Sequence, residues 1–185
     1  MYNNGYNNPQ LRKVKATPAV WVLRVLLAIT FAGSQAGTIL QIYDSAPYGI
    51  FGTFSGGGLV AFCVIAGIIL TAIMYVLYAL LLRLGYNSLA RNLTYMGVTP
   101  PDLNYICTVT GSAYVCANAV NTMLSMLSVF YTSQLYVLSE FLALIVKLLA
   151  MAAIMLVLWR KTGKEYMTFV FAAFAPLFAV TAILL

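Results

Sequence analysis

Two ionisable residues, Glu140 and Lys147, stand inside a long apolar stretch of the chain. A charge at the centre of a membrane helix costs about 2.5–3.5 kcal/mol on insertion scales, so such residues usually face other helices or water. Because the two residues are seven positions apart, too far for an ideal ion pair along one helix, we expect a third group to bridge them. The pattern leaves two functions open: a substrate or ion site, and a buried pair that fixes how helices assemble.

Upstream of this pair, small and polar side chains recur at alternating steps of four and three. The members of this polar stripe are Cys107, Gly111, Tyr114, Asn118, Asn121, Ser125, Ser128 and Thr132. Such steps place side chains on one side of an α-helix. Polar groups that face hydrocarbon lose their hydrogen bonds, so the stripe must face protein or water. It predicts either helix–helix packing or the lining of a hydrated path.

The polar stripe and the charged pair are expected to meet. A hairpin of their two helices places Asn118 and Asn121 at the depth of Lys147, about 18 Å from the outer end of its helix. That depth lies near the middle of a hydrocarbon core about 30 Å thick. We therefore predict an intramembrane polar centre made of Lys147, Glu140, Asn118 and Asn121.

Small residues also predict where helices approach one another closely. Gly33 and Gly37 form a GxxxG pattern, and Gly67 and Thr71 continue a four-residue spacing that begins at Cys63. Both patterns are typical of close contacts between membrane helices. The predicted helix-packing positions further include three members of the polar stripe, Gly111, Ser125 and Ser128.

The sequence lacks the residue sets on which most enzymes and metal sites depend. It contains no histidine, which removes the commonest general base and metal ligand. The three cysteines, Cys63, Cys107 and Cys116, show no metal-ligand spacing. A Cys107–Cys116 disulfide would require a break in the helix, since that stretch of helix spans about 13 Å. We predict no enzymatic activity, no cofactor and no metal site.

Composition places the chain in the membrane class. Of its 185 residues, 63% are hydrophobic and 8% are charged, whereas a soluble domain carries about 25% charged residues. The net charge of +6 does not indicate a nucleic-acid partner, because the basic residues form short clusters between apolar runs. Clusters of this kind set the orientation of membrane proteins.

Five apolar segments are long enough to cross a bilayer, which takes roughly 20 helical residues. The predicted spans cover residues 18–41, 58–84, 105–131, 135–159 and 166–185. A polar Asn/Tyr-rich tail, residues 1–16, precedes them, and a polar connection, residues 85–104, joins the second span to the third. The apolar run after the tail is too long for a signal peptide and lacks a small-residue cleavage site. The predicted fold is therefore all-α, a single polytopic transmembrane helical bundle over residues 17–185.

The distribution of basic residues predicts the orientation of this bundle. With a cytoplasmic N-terminus, the outer segments hold no basic residue and the inner segments hold Arg12, Lys13, Lys15, Arg83, Arg91, Arg160, Lys161 and Lys164. This asymmetry follows the positive-inside rule. Arg24 and Lys147 lie within helices, and Arg24 is only about 9 Å inside the first one, from where it can reach back to the cytoplasmic surface.

These observations predict a non-enzymatic, multi-pass integral membrane protein that acts as an oligomerising or accessory subunit of a membrane assembly. Almost all residues fall within the bilayer, which leaves no soluble domain for catalysis or signalling. The expected partners are the lipid bilayer and other membrane subunits, including further copies of the chain. The alternative is a small channel or transporter that uses the polar centre at mid-bilayer, for which a five-helix protomer would need to oligomerise to enclose a path.

Overall fold

The structure, a computed structural model, describes residues 16–45, 56–130 and 133–184. These residues form five α-helices: α1 (Pro18–Ser45), α2 (Gly56–Tyr95), α3 (Leu103–Phe130), α4 (Ser133–Thr162) and α5 (Met167–Leu184). A short 3-10 turn, Lys164–Tyr166, leads into α5. Within those three ranges there is no β-strand. The all-α prediction is therefore confirmed.

Three of the five helices are long and apolar enough to cross a membrane. The qualifying segments are Pro18–Ala36 of α1, Val60–Tyr95 of α2 and Val137–Thr162 of α4. In α5 the apolar stretch Met167–Val180 is shorter, and the sequence of α3 is interrupted by asparagines, threonines and serines. The five-span count stays a prediction.

The helices form a closed ring in which each has two main neighbours. In order around the ring, α1 packs against α2, α2 against α5, α5 against α4, α4 against α3, and α3 against α1. α2 and α3 touch only slightly across the ring. One continuous apolar core fills the interior and draws on all five helices, with Phe31, Leu93, Ile106, Leu158 and Phe174 fully buried.

The second helix does not end at Leu84, as the end of its apolar run suggested, but continues to Tyr95. Residues 85–95, which were predicted to belong to the polar connection, are thus helical. Buried residues recur along them at helical spacing. Leu82, Gly85, Leu89 and Leu93 lie on one buried side of α2. Loss of hydrophobicity marks where a helix can leave lipid, whereas the helix itself ends at a capping signal.

That capping signal is Gly97, whose φ of 75° lies in the left-handed region. The amide of Val98 donates to the carbonyl of Leu93 at 2.9 Å, and the amide of Gly97 donates to the carbonyl of Thr94 at 3.0 Å. This pair of bonds is the Schellman arrangement, in which glycine follows the last helical turns. α4 ends in a related way at Gly163, with a φ of 98°.

One end of the bundle collects most of the described positive charge. Here α1 and α3 begin and α2 and α4 end, and the Nζ atom of Lys161 lies 5.7 Å from the centre of the Tyr105 ring. We call this the basic end; its exposed cations are Arg24, Arg83, Arg91, Arg160 and Lys161. The helix directions thus agree with the charge clustering from which the orientation was predicted.

Candidate functional site

The helix that carries the polar stripe, α3, lies between α1 and α4. It comes close to α1 at Gly33, where an added Cβ would stand 3.1 Å from Oγ1 and 3.2 Å from Cγ2 of Thr122. The Thr122 hydroxyl donates to the carbonyl of Asn118 at 2.8 Å, and this bond holds the Thr122 side chain against α3. Gly33 therefore lies where α3 leaves little room for a larger side chain, and its role in packing stays a prediction.

Near the basic end, the stripe contacts α2 through a hydrogen-bonded aromatic cluster. The Tyr78 hydroxyl donates to Oγ1 of Thr110 at 3.1 Å, and that hydroxyl donates in turn to the carbonyl of Ile106 at 2.7 Å. The Tyr78 ring meets Tyr114 edge-on at 5.1 Å between ring centres and Phe31 at 6.2 Å. Thr110 is fully buried, and Tyr78 and Tyr114 are nearly so. The cluster links α1, α2 and α3 through direct hydrogen bonds and ring contacts.

Further along α3, the two asparagines of the predicted polar centre are buried. Asn118 is 2% exposed and Asn121 is 8% exposed. Within the described part of the chain, the Nδ2 atom of Asn118 is buried and has no hydrogen-bond partner. A buried amide donor without a partner costs about 1–3 kcal/mol, so this position is a costly polar site in the described interior. A water or a ligand atom that accepts a hydrogen bond here would remove that cost.

Lys147 occupies the inward register of α4. At helical spacing around it, Ser139, Ala143 and Ile154 are buried, and Lys147 itself is half-buried. Glu140, the proposed partner of Lys147, has its side chain outside the described set. The assignment of Lys147, Glu140, Asn118 and Asn121 to one polar centre therefore stays a prediction.

The other predicted packing positions differ in how closely neighbouring atoms approach them. A Cβ added at Gly67 would stand 2.5 Å from Cδ1 of Ile39 on α1, so Gly67 lies at a close α1–α2 contact. Gly111 is buried, but an added Cβ would meet only ordinary contacts, at 3.8 Å from Cβ of Leu23. Thr71 and Ser125 are half-buried. The surroundings of Gly37 and the side chain of Ser128 lie outside the description.

The cysteines do not pair. Cys107 and Cys116 both lie on the unbroken helix α3, which keeps them too far apart for a disulfide, and both are free, as is the buried Cys63. Over the described ranges, no group of three or more His, Cys, Asp or Glu side chains is placed to hold a metal ion.

Two concave surfaces were not predicted from the sequence. One is a groove of about 490 Å³ between α3 and α4, lined in equal number by larger aliphatic side chains and by small ones such as Ser112, Cys116 and Ala153. The other is a cleft of about 710 Å³ between α1, α2 and α3, lined by Arg24, Arg83 and apolar residues. Each brings together residues from separate helices, so only the ring order of the helices could have revealed them.

Comparison with protein-family models, with curated proteins and with solved structures gives no match for this chain.

Proposed function

We propose that this chain is a multi-pass integral membrane protein with five spans and a cytoplasmic N-terminus, acting without enzymatic activity as a subunit of a membrane assembly. The observation that carries the proposal is the reversed distribution of polarity. Large aliphatic side chains point outward, among them Ile68 at 65% exposed and Leu149 at 63%, while Thr110, Asn118 and Asn121 are buried. Such an exterior is stable in hydrocarbon, whereas water would favour the opposite arrangement.

The role as a subunit is supported by how much of the helical surface remains uncovered. Only 11% of the most apolar window of α2 is buried within the chain. The groove between α3 and α4 offers a second uncovered surface, where small side chains permit a helix backbone to come close. The occupant we propose for this groove is a helix of a second copy of the chain, which makes the assembly a homo-oligomer.

The decisive test is association in a bilayer. Full-length chain is labelled with a donor or an acceptor fluorophore, mixed in liposomes, and diluted with lipid while energy transfer is recorded. Transfer that persists on dilution and falls in the Cys116→Phe variant, which fills the groove, supports the proposal. Ile29→Phe, on an exposed part of α1, is the matched control and leaves transfer unchanged. A chain that stays monomeric at every dilution contradicts it.

A channel or transporter is the second candidate, and two observations favour it. The Nδ2 donor of Asn118 is buried and unpaired, and Lys147 stands in the inward register of α4. Ionisable residues at bilayer depth commonly mark ion or substrate pathways. In this candidate function, Lys147 binds an anionic group and the asparagines supply hydrogen bonds beside it.

Lys147→Met separates the two candidates. The substitution keeps the length of the side chain and removes its charge. Stability should fall little if Glu140, nearer the outer surface, then reaches water or takes up a proton, because a buried pair often costs as much desolvation as it returns in attraction. Oligomer formation and solute flux are measured on the same liposomes. Intact assembly with flux lost favours the transporter. Loss of assembly in both Lys147→Met and Glu140→Gln favours a structural pair. Lys161→Met, at the exposed basic end, is the charge-matched control and changes neither readout.

A further inference from the structure

The cleft between α1, α2 and α3 opens near the basic end of the bundle. Its polar lining comes from Arg24 on α1, Arg83, Asn87, Tyr75 and Tyr78 on α2, and Cys107 on α3. Its walls are apolar, formed by residues that include Leu23, Leu27, Val76 and Leu80. At about 710 Å³ the cleft lies within the size range of small-molecule sites, about 300–1,000 Å³.

Two guanidinium groups face this cleft without an acidic side chain among its described lining residues. Arg24 and Arg83 are both exposed, and Cys107 lines the α3 side of the cleft. Asp102, next to the lining residue Leu103, is exposed and accepts a hydrogen bond from the amide of Asn104 at 3.4 Å, so it caps the start of α3. The cleft therefore has a positively charged opening and an apolar wall.

We propose that this cleft binds an anionic membrane lipid, with its phosphate between Arg24 and Arg83 and an acyl chain along the apolar wall. Guanidinium groups bind phosphate oxygens in pairs of parallel hydrogen bonds. Basic pockets between membrane helices on the cytoplasmic side bind anionic headgroups for the same reason. Asn87 adds an amide donor at the rim of the cleft.

The depth of Arg24 matches this assignment, which rests on the membrane placement proposed above. Arg24 lies about 9 Å inside the start of α1, and from there its side chain reaches back to the headgroup boundary when the basic end faces the cytoplasm. A phosphate at that level remains attached to chains that lie in hydrocarbon. A free phosphate ion would use the same two guanidinium groups but leave the apolar wall uncovered.

The test measures lipid binding to the full-length protein in detergent by native mass spectrometry. The probes are dioleoyl phosphatidate and, for comparison, phosphatidylcholine with the same chains. We expect one tightly bound phosphatidate per chain and much weaker binding of phosphatidylcholine. Arg24→Gln and Arg83→Gln should each lower the affinity for phosphatidate about tenfold, since each removes a charge-assisted contact.

A double variant with the same loss of charge is the control. Arg91→Gln with Arg160→Gln removes two exposed cations of the basic end that do not line the cleft, and it should leave affinity unchanged. Equal losses in the control and in Arg24→Gln with Arg83→Gln would show diffuse attraction and overturn the proposal. Each variant must elute as a single species with unchanged helical content before its affinity is compared.

Ala79→Phe distinguishes a lipid from a free phosphate. Ala79 lines the cleft, and a ring there obstructs the acyl path while both arginines remain. We expect phosphatidate affinity to fall at least about tenfold, with binding of inorganic phosphate unchanged. If Ala79→Phe affects neither probe and inorganic phosphate competes as well as phosphatidate, the lipid assignment is wrong.

Extraction of native membranes with alkaline carbonate keeps the two proposals separate. A chain that resists extraction but binds phosphatidate no better than phosphatidylcholine contradicts the lipid site alone. A chain released by carbonate contradicts the membrane placement itself.

Discussion

Gly85→Ala should destabilise the protein, although alanine is the better helix former. Gly85 lies on α2 against α5, and an added Cβ would stand 2.7 Å from the carbonyl oxygen of Ala173 and 3.0 Å from Cδ1 of Phe174. Replacing glycine by alanine in a helix gains about 1 kcal/mol in propensity. Overpacking a filled interface costs about 1–3 kcal/mol, and the upper part of that range applies here because a backbone carbonyl cannot move without its helix. The expected net loss is about 1–2 kcal/mol.

Gly111→Ala is the matched control for this experiment. Gly111 is also a buried helical glycine, but the nearest atoms to an added Cβ are 3.8 Å and 3.9 Å away, on Leu23 and Tyr78. Those are ordinary contacts, so the propensity gain of about 0.5–1 kcal/mol should remain and the variant should be more stable than the parent chain.

Equilibrium unfolding in mixed micelles, with sodium dodecyl sulfate as denaturant, measures both variants on one scale. The two substitutions should shift the midpoint in opposite directions. If Gly85→Ala is as stable as Gly111→Ala, α2 and α5 can separate freely at this contact. The reasoning from the close backbone approach would then be refuted.

Three further predictions address the interior, a helix end and the orientation. Asn118→Leu with Asn121→Leu should reduce assembly or flux in liposomes. Met123→Leu, at an exposed position, should change neither. Equal effects of the two changes would contradict a role for the asparagines in assembly or flux. Gly97→Ala should lower the free energy of unfolding by about 1 kcal/mol, because Gly97 has a φ of 75°, and an unchanged unfolding midpoint would contradict this. Asn92 begins the glycosylation sequon Asn-Leu-Thr but should carry no glycan in a eukaryotic host; a mobility shift removed by endoglycosidase would reverse the orientation.

Helix existence could be predicted from the sequence because it depends on local hydrophobicity. All five predicted helices are present, and α1 begins at Pro18 as expected. Their ends were less predictable. Residues 85–95 seemed to form a polar connection because Gly85 and the polar residues after it interrupt the apolar run. In three dimensions Gly85 makes a close contact with α5, and that use of glycine depends on a partner almost ninety residues away.

The candidate site, too, could be predicted from the sequence only in part. The burial of Asn118 and Asn121 follows from the periodicity of α3, since one helix determines which of its own residues share a side. The cleft with Arg24 and Arg83 could not be predicted, because it requires α1, α2 and α3 to be neighbours in a particular order. Periodicity along one helix says nothing about which other helix faces it.

The closed ring has a consequence for biosynthesis. α5 emerges from the ribosome after the other four helices, yet it packs against α2, and Val170 and Phe174 of α5 are fully buried in the core. Until α5 arrives, the side of α2 at Gly85, which packs against Ala173 and Phe174, has no permanent cover. Nascent chains therefore pass through a stage in which chaperones and degradation machinery of the membrane can recognise them. Mutations in α5 should lower the amount of protein in cells more than equally conservative mutations in α1.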